Sequence, residues 1–474
     1  MLRPLLWLAA GICFEVGICA AAVQDAKSVL QNASKTLGNP NSLQFSGTGM
    51  NALFGQALTA GKEWPRRDLE RVTESINYNQ RSARVELVFQ KENFQGIRQN
   101  TQVNGDRAWT VRPNGVNPQL GSAEERQLQI WMTPHGFVRA GLAASKASLR
   151  SRMESGKRVS VISFPVLGKY ELEGVIDDSG RVVEVRTKFP NPMLGDMPYR
   201  FVYSDYAHFD DIEFPRHIVQ SEGGFPVNDL TIASVKANAA VDIPVPAEVQ
   251  SAAAPKVQVL TSKIGDGIWF AGGGSHHSVI VEFDKFITVI EAPQNEARSL
   301  AVIEQAKALA GNKPIRYVVN THHHFDHAGG LRTYVAEGAT VITDASNKTY
   351  FERSFAAPAT LVPDTQAKAR RKPMIQTVAD RGKYVISDGK QSIEVYGTRG
   401  DSHTDELLFA YLPSAKVLVE ADSFAPGPGN ELADEQALNR NIEQQKLEVL
   451  TIVGIHGSGP VPFEEFKKDL LRGQ

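Results

Sequence analysis

The segment that most constrains this 474-residue chain is a dense run of histidines, Thr321-His322-His323-His324-Phe325-Asp326-His327. Histidine is the commonest metal ligand among side chains because its neutral imidazole offers a nitrogen lone pair. In an extended segment His322 and His324 point to the same side, and Asp326 and His327 follow at once. The spacing therefore predicts a loop that wraps metal ions.

The flanking sequence places this loop between a strand and a helix. Residues 315–320 are apolar and β-branched, which is typical of a buried strand, and residues 328–335 are predicted to begin a helix. The pattern His-x-His-x-Asp-His after a strand resembles the signature of the metallo-β-lactamase-fold hydrolases. A low-complexity metal-scavenging tract is the alternative interpretation.

The rest of the family pattern is found downstream, so that the resemblance covers residues 257–474. Residues 400–404 read Gly-x-x-His-Thr, residues 417–422 form an apolar run that ends in aspartate, and residues 452–457 end in His-Gly. Ala421 stands where the family usually has glycine. The resemblance implies seven ligands: His322, His324 and His403 for a first metal, Asp326, His327 and His456 for a second, and Asp422 between the two.

Four further residues receive a role from their position. Glu291 ends an apolar run where the family commonly has aspartate, so it is expected to brace the metal loop by accepting a hydrogen bond from an imidazole; the alternative is a solvated carboxylate at a strand end. His276 and His277 follow three glycines and either line the mouth of the site as substrate-binding residues or form a solvated hairpin turn. His323, between two ligands, is expected to face away from the metals.

These ligands imply a reaction class. Three histidines leave the fourth tetrahedral position of a zinc ion open, and bound zinc lowers the pKa of water to about 7. The resemblance therefore implies a dinuclear zinc hydrolase that uses a metal-bridging hydroxide to cleave an ester, thioester, lactone or amide. Asp326 is expected to orient the hydroxide or to carry a proton to the leaving group. Iron or manganese remain open as the metal.

Two alternatives from other classes also fit the ligands. One is a mono-iron oxidoreductase on the same fold, similar to a sulfur dioxygenase, and the other is a non-catalytic, metal-dependent binding protein of the envelope. The two cysteines, Cys13 and Cys19, both lie near the N-terminus, so no cysteine ligand is available downstream. With Asp422 as the bridge, the chain is closer to the glyoxalase-II and lactonase branches than to the cysteine-containing β-lactamases.

Composition and the N-terminal segment indicate where the protein is located and what class of molecule it binds. The net charge of −2 and the lack of a basic stripe disfavour nucleic acid, leaving a small-molecule substrate. Arg3, an apolar run over residues 5–18 and three alanines at residues 20–22 predict a signal peptide over residues 1–22. A periplasmic or secreted protein without a membrane span is expected after its removal. An uncleaved membrane anchor is the alternative, and the oligomeric state is left open.

The remainder of the chain divides into an accessory domain, a linker and the catalytic domain. Residues 23–240 contain repeated short strands and turn signals, which predict a β-rich antiparallel and curved sheet, similar to the half-barrels of periplasmic lipid carriers. A helix is expected over residues 127–147, broken near Pro134. Proline and alanine predict an extended linker over residues 241–256. The accessory domain is interpreted as a structural or dimerising module, or as one that grips substrate or docks on the envelope.

The catalytic domain, residues 257–474, is expected to be an α/β structure, the αββα sandwich of the metallo-β-lactamase fold. A helix is predicted over residues 296–310, with Asn295 as its N-cap and Gly311 just past its end. Residues 351–380 are rich in proline, alanine and basic side chains and are predicted to form a lid or loop over the metals.

Overall fold

The computed structural model describes residues 25–90, 98–379, 382–426, 432–457 and 459–471. The predicted signal peptide, residues 1–22, lies outside these residues. The described chain combines a β-rich N-terminal domain with a C-terminal domain in which two sheets carry helices on their outer faces.

The helices are short. Of the described helices the longest has 14 residues, whereas a membrane-spanning helix needs about 20, and none is long and apolar enough to cross a membrane. The helices are α1 (Ala26–Leu37), α2 (Ala123–Met132), α3 (Pro134–Ala143), α4 (Ala247–Ser251), α5 (Glu296–Leu309), α6 (Phe325–Ala328), α7 (Leu331–Glu337), α8 (Lys348–Ala356), α9 (Thr365–Ala369), α10 (Leu432–Gln444) and α11 (Phe463–Leu470), with 3-10 turns at Leu120–Ser122 and Ala345–Asn347.

The strands form three sheets, one in the N-terminal domain and two in the C-terminal domain. The first sheet contains β1 (Ser42–Ala52), β2 (Arg66–Asn77), β3 (Ser82–Phe89), β4 (Arg98–Asn104), β5 (Arg107–Arg112), β6 (Gly115–Pro118), β7 (Ser148–Glu154), β8 (Lys157–Val166), β9 (Tyr170–Ile176), β10 (Val182–Asn191), β11 (Gly195–Phe209), β12 (Ile212–Glu222) and β13 (Phe225–Ala237). The second contains β14 (Leu260–Gly265), β15 (Ile268–Gly272), β16 (Ser278–Glu282), β17 (Ile287–Ile290), β18 (Ile315–Val319), β19 (Thr340–Asp344) and β20 (Met374–Val378). The third contains β21 (Lys383–Ser387), β22 (Ser392–Thr398), β23 (Leu407–Leu412), β24 (Val417–Glu420), β25 (Thr451–Gly454) and β26 (Pro460–Pro462).

The N-terminal domain is one antiparallel sheet of 13 strands, in the order β6-β5-β4-β3-β2-β1-β13-β12-β11-β10-β9-β8-β7. Sequential strands pair with each other except β6 and β7, which form the two edges, and the pairing of β1 with β13 joins the two halves in the middle. Alternating side chains place one apolar face against α1, α2 and α3, where Leu30, Phe137 and Phe164 are fully buried. The β-rich antiparallel domain predicted from the sequence is therefore confirmed.

The predicted break in the helix near Pro134 lies between α2 and α3. Thr133 has an extended backbone, and its hydroxyl accepts a hydrogen bond from the backbone N–H of Gly136 at 3.1 Å. Pro134 is the first residue of α3, where its missing N–H would have had no helical partner. The proline therefore starts a second helix instead of continuing the first.

The segment predicted as an extended linker packs against the N-terminal domain. Val241 and Ile243 are buried beside Trp109, and α4 follows with Val249 fully buried. Alternating apolar residues among the prolines give this segment a face that can leave water. The segment is therefore fixed to the accessory domain up to α4.

The C-terminal domain is the αββα sandwich expected from the sequence. The seven-stranded and six-stranded sheets pack face to face through apolar side chains such as Val281, Val319 and Leu408. Helices α5 and α7 cover the first sheet, and α10 and α11 cover the second. Asn295 caps α5 by accepting a hydrogen bond from the backbone N–H of Arg298 at 3.1 Å, as the sequence predicted.

The residues predicted as a lid belong to an edge of the first sheet and to the contact between the domains. Strand β20 pairs with β19, and the preceding loop docks on Asp196 of the N-terminal domain. The backbone N–H groups of Thr360 and Leu361 donate to the Asp196 carboxylate at 2.9 and 3.1 Å. Residue 380 lies outside the described residues. The described residues of this segment therefore form part of the sheet edge and of the contact between the domains, and not a separate lid.

A buried arginine ties α5 to the first sheet. Arg298 is 2% exposed, and its guanidinium donates to the carbonyls of Ala271 and Gly272 at 2.8 Å each. We predict that Arg298→Ala lowers the free energy of unfolding by roughly 2–4 kcal/mol, because these buried carbonyls lose charge-assisted hydrogen bonds. Arg316→Ala, at an exposed position, is the control. Equal denaturant midpoints for the two variants would contradict the prediction.

Candidate metal centre

The ends of parallel strands bring the predicted ligands together. Strands β17 and β18 run parallel, as do β24 and β25. Glu291 follows β17, the histidine loop follows β18, Asp422 follows β24 and His456 follows β25. Since the carboxyl ends of parallel strands meet at one edge of a sheet, residues far apart in the chain converge at the end of the sandwich.

A first group contains His322, His324, His403 and Asp422. Their ligand atoms lie within 4.8 Å of one another. The Asp422 Oδ2 atom is 3.4 Å from His322 Nε2 and 3.1 Å from His403 Nε2. These are the three histidines and the bridging aspartate expected from the sequence, gathered at one point.

The nitrogens of this group fit a metal ion. His322 Nε2, His324 Nδ1 and His403 Nε2 are buried and have no hydrogen-bond partner among the described residues. Buried polar atoms are nearly always paired, so three orphan nitrogens in one place require an explanation. Burial lowers the pKa of His324 to about 3 and that of His322 well below its usual range. Both imidazoles are therefore neutral at pH 7 and present lone pairs.

Glu291 fixes the ring orientation of His322 through a threonine. The Thr321 hydroxyl donates to the Glu291 carboxylate, which accepts only. That hydroxyl therefore accepts the hydrogen bond from His322 Nδ1, at 3.0 Å, and leaves Nε2 for a ligand. Glu291 is fully buried and also lies 3.5 Å from His327 Nδ1. The glutamate thus has the contacts expected of a residue that braces the metal loop.

A second group contains His276, His327 and His456, whose ligand atoms also lie within 4.8 Å of one another. Asp422 joins it to the first group, because its Oδ2 is 2.9 Å from His327 Nε2 and its Oδ1 is 2.9 Å from His456 Nδ1. The sequence predicted Asp326 in the place that His276 takes here. Asp326 lies beside this group, with its Oδ2 3.2 Å from His276 Nε2.

His276 reaches the second group because its turn pairs with the end of β25. A β-bridge joins His276 to His456, and the two rings stack with their centroids 4.1 Å apart. The sequence offered only a glycine-rich turn with two histidines. His277 points elsewhere, since its Nε2 bonds the Gly457 carbonyl at 2.8 Å and its ring packs on Phe270.

Asp422 and Glu291 adopt a backbone conformation that side chains rarely take. Their φ angles are +63° and +74°, in the left-handed region where a non-glycine residue costs of order 1–3 kcal/mol. Burial opposes ionisation of Asp422, but the adjacent His327 imidazole holds the pKa of Asp422 well below its usual range. Strain and burial are thus concentrated on the carboxylate that joins the two groups.

His323 faces away from both groups, as expected. Its Nδ1 hydrogen-bonds the carboxylate of Glu406, and both side chains are buried. Its ring also lies edge-on to Tyr350. This histidine anchors the metal loop to the segment that leads into β23.

Two contacts from the N-terminal domain could not be predicted from the sequence. Gln56 Nε2 donates to Asp326 Oδ1 at 2.8 Å, and the Ala57 carbonyl accepts a hydrogen bond from His324 Nε2 at 3.0 Å. Gln56 and Ala57 lie about 270 positions before Asp326 and His324 along the chain. Nothing in the local sequence around them marks a metal site.

Comparison with known families agrees with this geometry. Residues 271–456 match the family model described as the metallo-beta-lactamase superfamily. Residues 271–456 form a metallo-beta-lactamase superfamily domain. The match begins in β15 and ends at His456, so it spans all of the predicted ligands.

Among solved structures the domain is similar to several metallo-beta-lactamases. FIM-1 from Pseudomonas aeruginosa, in its mono-zinc form, is 18% identical, with 46% of this chain and 96% of that chain covered and a TM-score of 0.36. The enzyme from Pontibacter korlensis is 20% identical, with 46% and 100% covered and a TM-score of 0.34. The enzyme from Hirschia baltica is 19% identical, with 45% and 96% covered and a TM-score of 0.35.

Loss of single ligands tests this site. We predict that His324→Ala and Asp422→Ala each reduce the metal bound per chain and abolish turnover, because each removes a ligand of the first group. The N-terminal domain should stay folded, as judged by circular dichroism. His208→Ala is the control, since that side chain is 80% exposed. Full metal content and activity in either ligand variant would show that the site is wrongly assigned.

Proposed function

We propose that this protein is a dinuclear metal-dependent hydrolase that cleaves an ester, thioester, lactone or amide in a small molecule. The observation that supports it is the position of Asp422, whose carboxylate lies between two groups of histidines. A carboxylate in this place would contribute a ligand to each ion of a two-metal hydrolytic site.

The donor set is suited to zinc. Nitrogen-rich sites with carboxylate suit zinc among the common divalent ions, although iron and manganese can take similar ligands. His322, His324 and His403 would hold one ion, and His327, His456 and His276 would hold the other. When bound, such ions lower the pKa of a shared water to about 7 and polarise the oxygen of a substrate carbonyl.

The site is closed on one side and open on the other. The side chains of His322 and His327 are fully buried, whereas 49% of the His456 side chain and 34% of the Asp326 side chain are exposed. A substrate can therefore approach past His456 and Asp326. The buried side keeps the bracing carboxylate of Glu291 away from water, which strengthens its interaction with the imidazoles.

Asp326 is the residue placed to handle a proton. Burial opposes its ionisation, but the hydrogen bond from His276 and the nearby His327 lower the pKa of Asp326 below its usual range. It is therefore a carboxylate at neutral pH. Gln56 donates to its Oδ1 and His276 Nε2 lies 3.2 Å from its Oδ2, so the carboxylate is held beside the second group, where it would orient an attacking water and accept its proton.

The ligand set and the N-terminal segment suggest a class of substrate and a cellular location. The metal groups contain histidine and aspartate but no cysteine, and Asp422 occupies the bridging position. We therefore favour a substrate of the glyoxalase-II or lactonase type over a β-lactam. The predicted signal peptide supports a periplasmic or secreted enzyme.

A substrate panel with metal removal tests the proposal. The zinc-loaded protein should hydrolyse at least one member of a panel of thioesters, lactones, aryl esters and β-lactams. Treatment with a chelator should abolish that activity, and added zinc should restore it. Turnover that survives chelation, or none with any class, would contradict the proposal; oxygen consumption by an iron-loaded sample would favour the mono-iron oxidoreductase instead.

Asp326 is predicted to act in turnover more than in metal retention. We expect Asp326→Asn to lower kcat by roughly 10²–10⁴-fold, the usual contribution of a general acid or base. The protein should keep its first metal, because Asp326 lies outside that group. Steady-state kinetics and elemental analysis of the same sample measure both quantities. An unchanged kcat would remove Asp326 from the reaction.

A further inference from the structure

We infer that the N-terminal domain contributes to the metal centre through its β1–β2 loop, residues 53–65, which positions His324 and Asp326. The inference rests on the proposed metal centre, but it assigns a role to a domain that has no ligand of its own in either group. The sequence analysis left open whether this accessory domain is a structural module or one that grips substrate, and the inference gives it a positioning role instead.

The β1–β2 loop extends from the N-terminal domain to the C-terminal domain and is hydrogen-bonded there at two points, Phe325 and Asp405. The Gly55 carbonyl accepts a hydrogen bond from the Phe325 N–H at 3.2 Å, and the Leu58 carbonyl accepts one from the Asp405 N–H at 3.0 Å. The Thr59 hydroxyl donates to the Asp405 carboxylate. The loop is thus bonded to a residue within the metal loop and to one that follows His403 by two positions.

Aromatic packing fixes the loop against the residue between the ligands. The Phe325 ring contacts Phe54 and Trp64 edge-on, with centroids 5.3 and 5.4 Å apart. Such pairs contribute about 0.5–1.5 kcal/mol each beyond their buried area. Gly55 approaches the same ring so closely that a Cβ atom there would lie 2.9 Å from it. The β1–β2 loop and the metal loop are therefore in close van der Waals contact at Phe325.

Ala57 determines which nitrogen of His324 is available. A carbonyl only accepts hydrogen bonds, so the proton must reside on His324 Nε2, 3.0 Å from the Ala57 oxygen. The lone pair is then on Nδ1, which is the buried atom without a partner. Metal-binding imidazoles ordinarily have their second nitrogen held in this way. Here the partner comes from another domain, and Ala57 is fully buried.

Gln56 orients the proton-handling carboxylate. Its amide nitrogen lies 2.8 Å from Asp326 Oδ1, while Oδ2 faces His276. Without this donor the carboxylate could rotate and exchange its two oxygens. The β1–β2 loop therefore positions one ligand of the first group through the Ala57 carbonyl, and the carboxylate beside the second group through the Gln56 side chain.

The first experiment removes the Gln56 amide in the full chain. We expect Gln56→Met to lower kcat/KM on the order of 10–100-fold, because Asp326 loses the donor that orients it beside the second group. The visible absorption of the cobalt-substituted protein should also change, since a purely structural role would leave it unaltered. Gln44→Met is the matched control, because Gln44 bonds Ser75 at 3.0 Å within the same domain.

The second experiment displaces the loop backbone. Gly55 has φ +83°, and Gly55→Ala adds the Cβ that collides with Phe325. Gly156→Ala is the control, because Gly156 has φ +78° and nothing within 4 Å of an added Cβ. We expect Gly55→Ala to lower zinc affinity, measured by competition with a chelating dye, by at least tenfold, and Gly156→Ala to leave that affinity unchanged.

The outcomes separate this inference from the proposed function. Metal affinity and the cobalt spectrum are measured without substrate, so they remain informative if no hydrolase substrate is found. If the parent chain binds zinc and both loop variants bind it as tightly, with unaltered cobalt spectra, the loop has no positioning role. If Gly55→Ala lowers the affinity while the panel shows no hydrolysis, the inference stands and the proposed reaction fails.

Discussion

The carboxylate of Asp422 lies within 3.4 Å of four imidazoles, those of His322, His327, His403 and His456. A buried carboxylate is costly unless it is paired and held, and this one is also in a strained backbone conformation. The two packed sheets meet this requirement, since the ends of their parallel strands bring His322, His327 and His456 to one edge, and the loop between β22 and β23 brings His403 there. The sandwich is therefore a rigid support for the contact between the Asp422 carboxylate and these imidazoles.

Hydrogen bonds determine the orientation of two imidazole rings close to Asp422, those of His322 and His324. Glu291 acts on His322 through Thr321, and Ala57 acts on His324 directly. Each ring keeps one buried nitrogen without a partner within the first group. The same edge is buried on the side of Glu291 and exposed on the side of His456. The N-terminal domain contributes to this order through the β1–β2 loop, so the two domains form one functional unit.

The parts of this structure that follow local rules were predictable from the sequence. The histidine motif, the strand before it and the cap at Asn295 each depend on residues within a few positions. The alternation of the N-terminal strands likewise predicted an antiparallel sheet. Contacts made between distant segments were not predictable. His276 enters the second group through a bridge to a strand end 180 residues away, and Gln56 reaches Asp326 through the docking of another domain. The packing of the predicted linker depends on a distant contact in the same way, since its apolar residues are buried beside Trp109.

Metal content of the purified full chain tests the central claim most directly. The two histidine groups joined by Asp422 predict about two zinc ions per chain by elemental analysis. Exchange of the bound metal for cobalt should then give a spectrum in which the two ions interact. One iron per chain, or no tightly held metal, would contradict a dinuclear centre and with it the reaction proposed for the site.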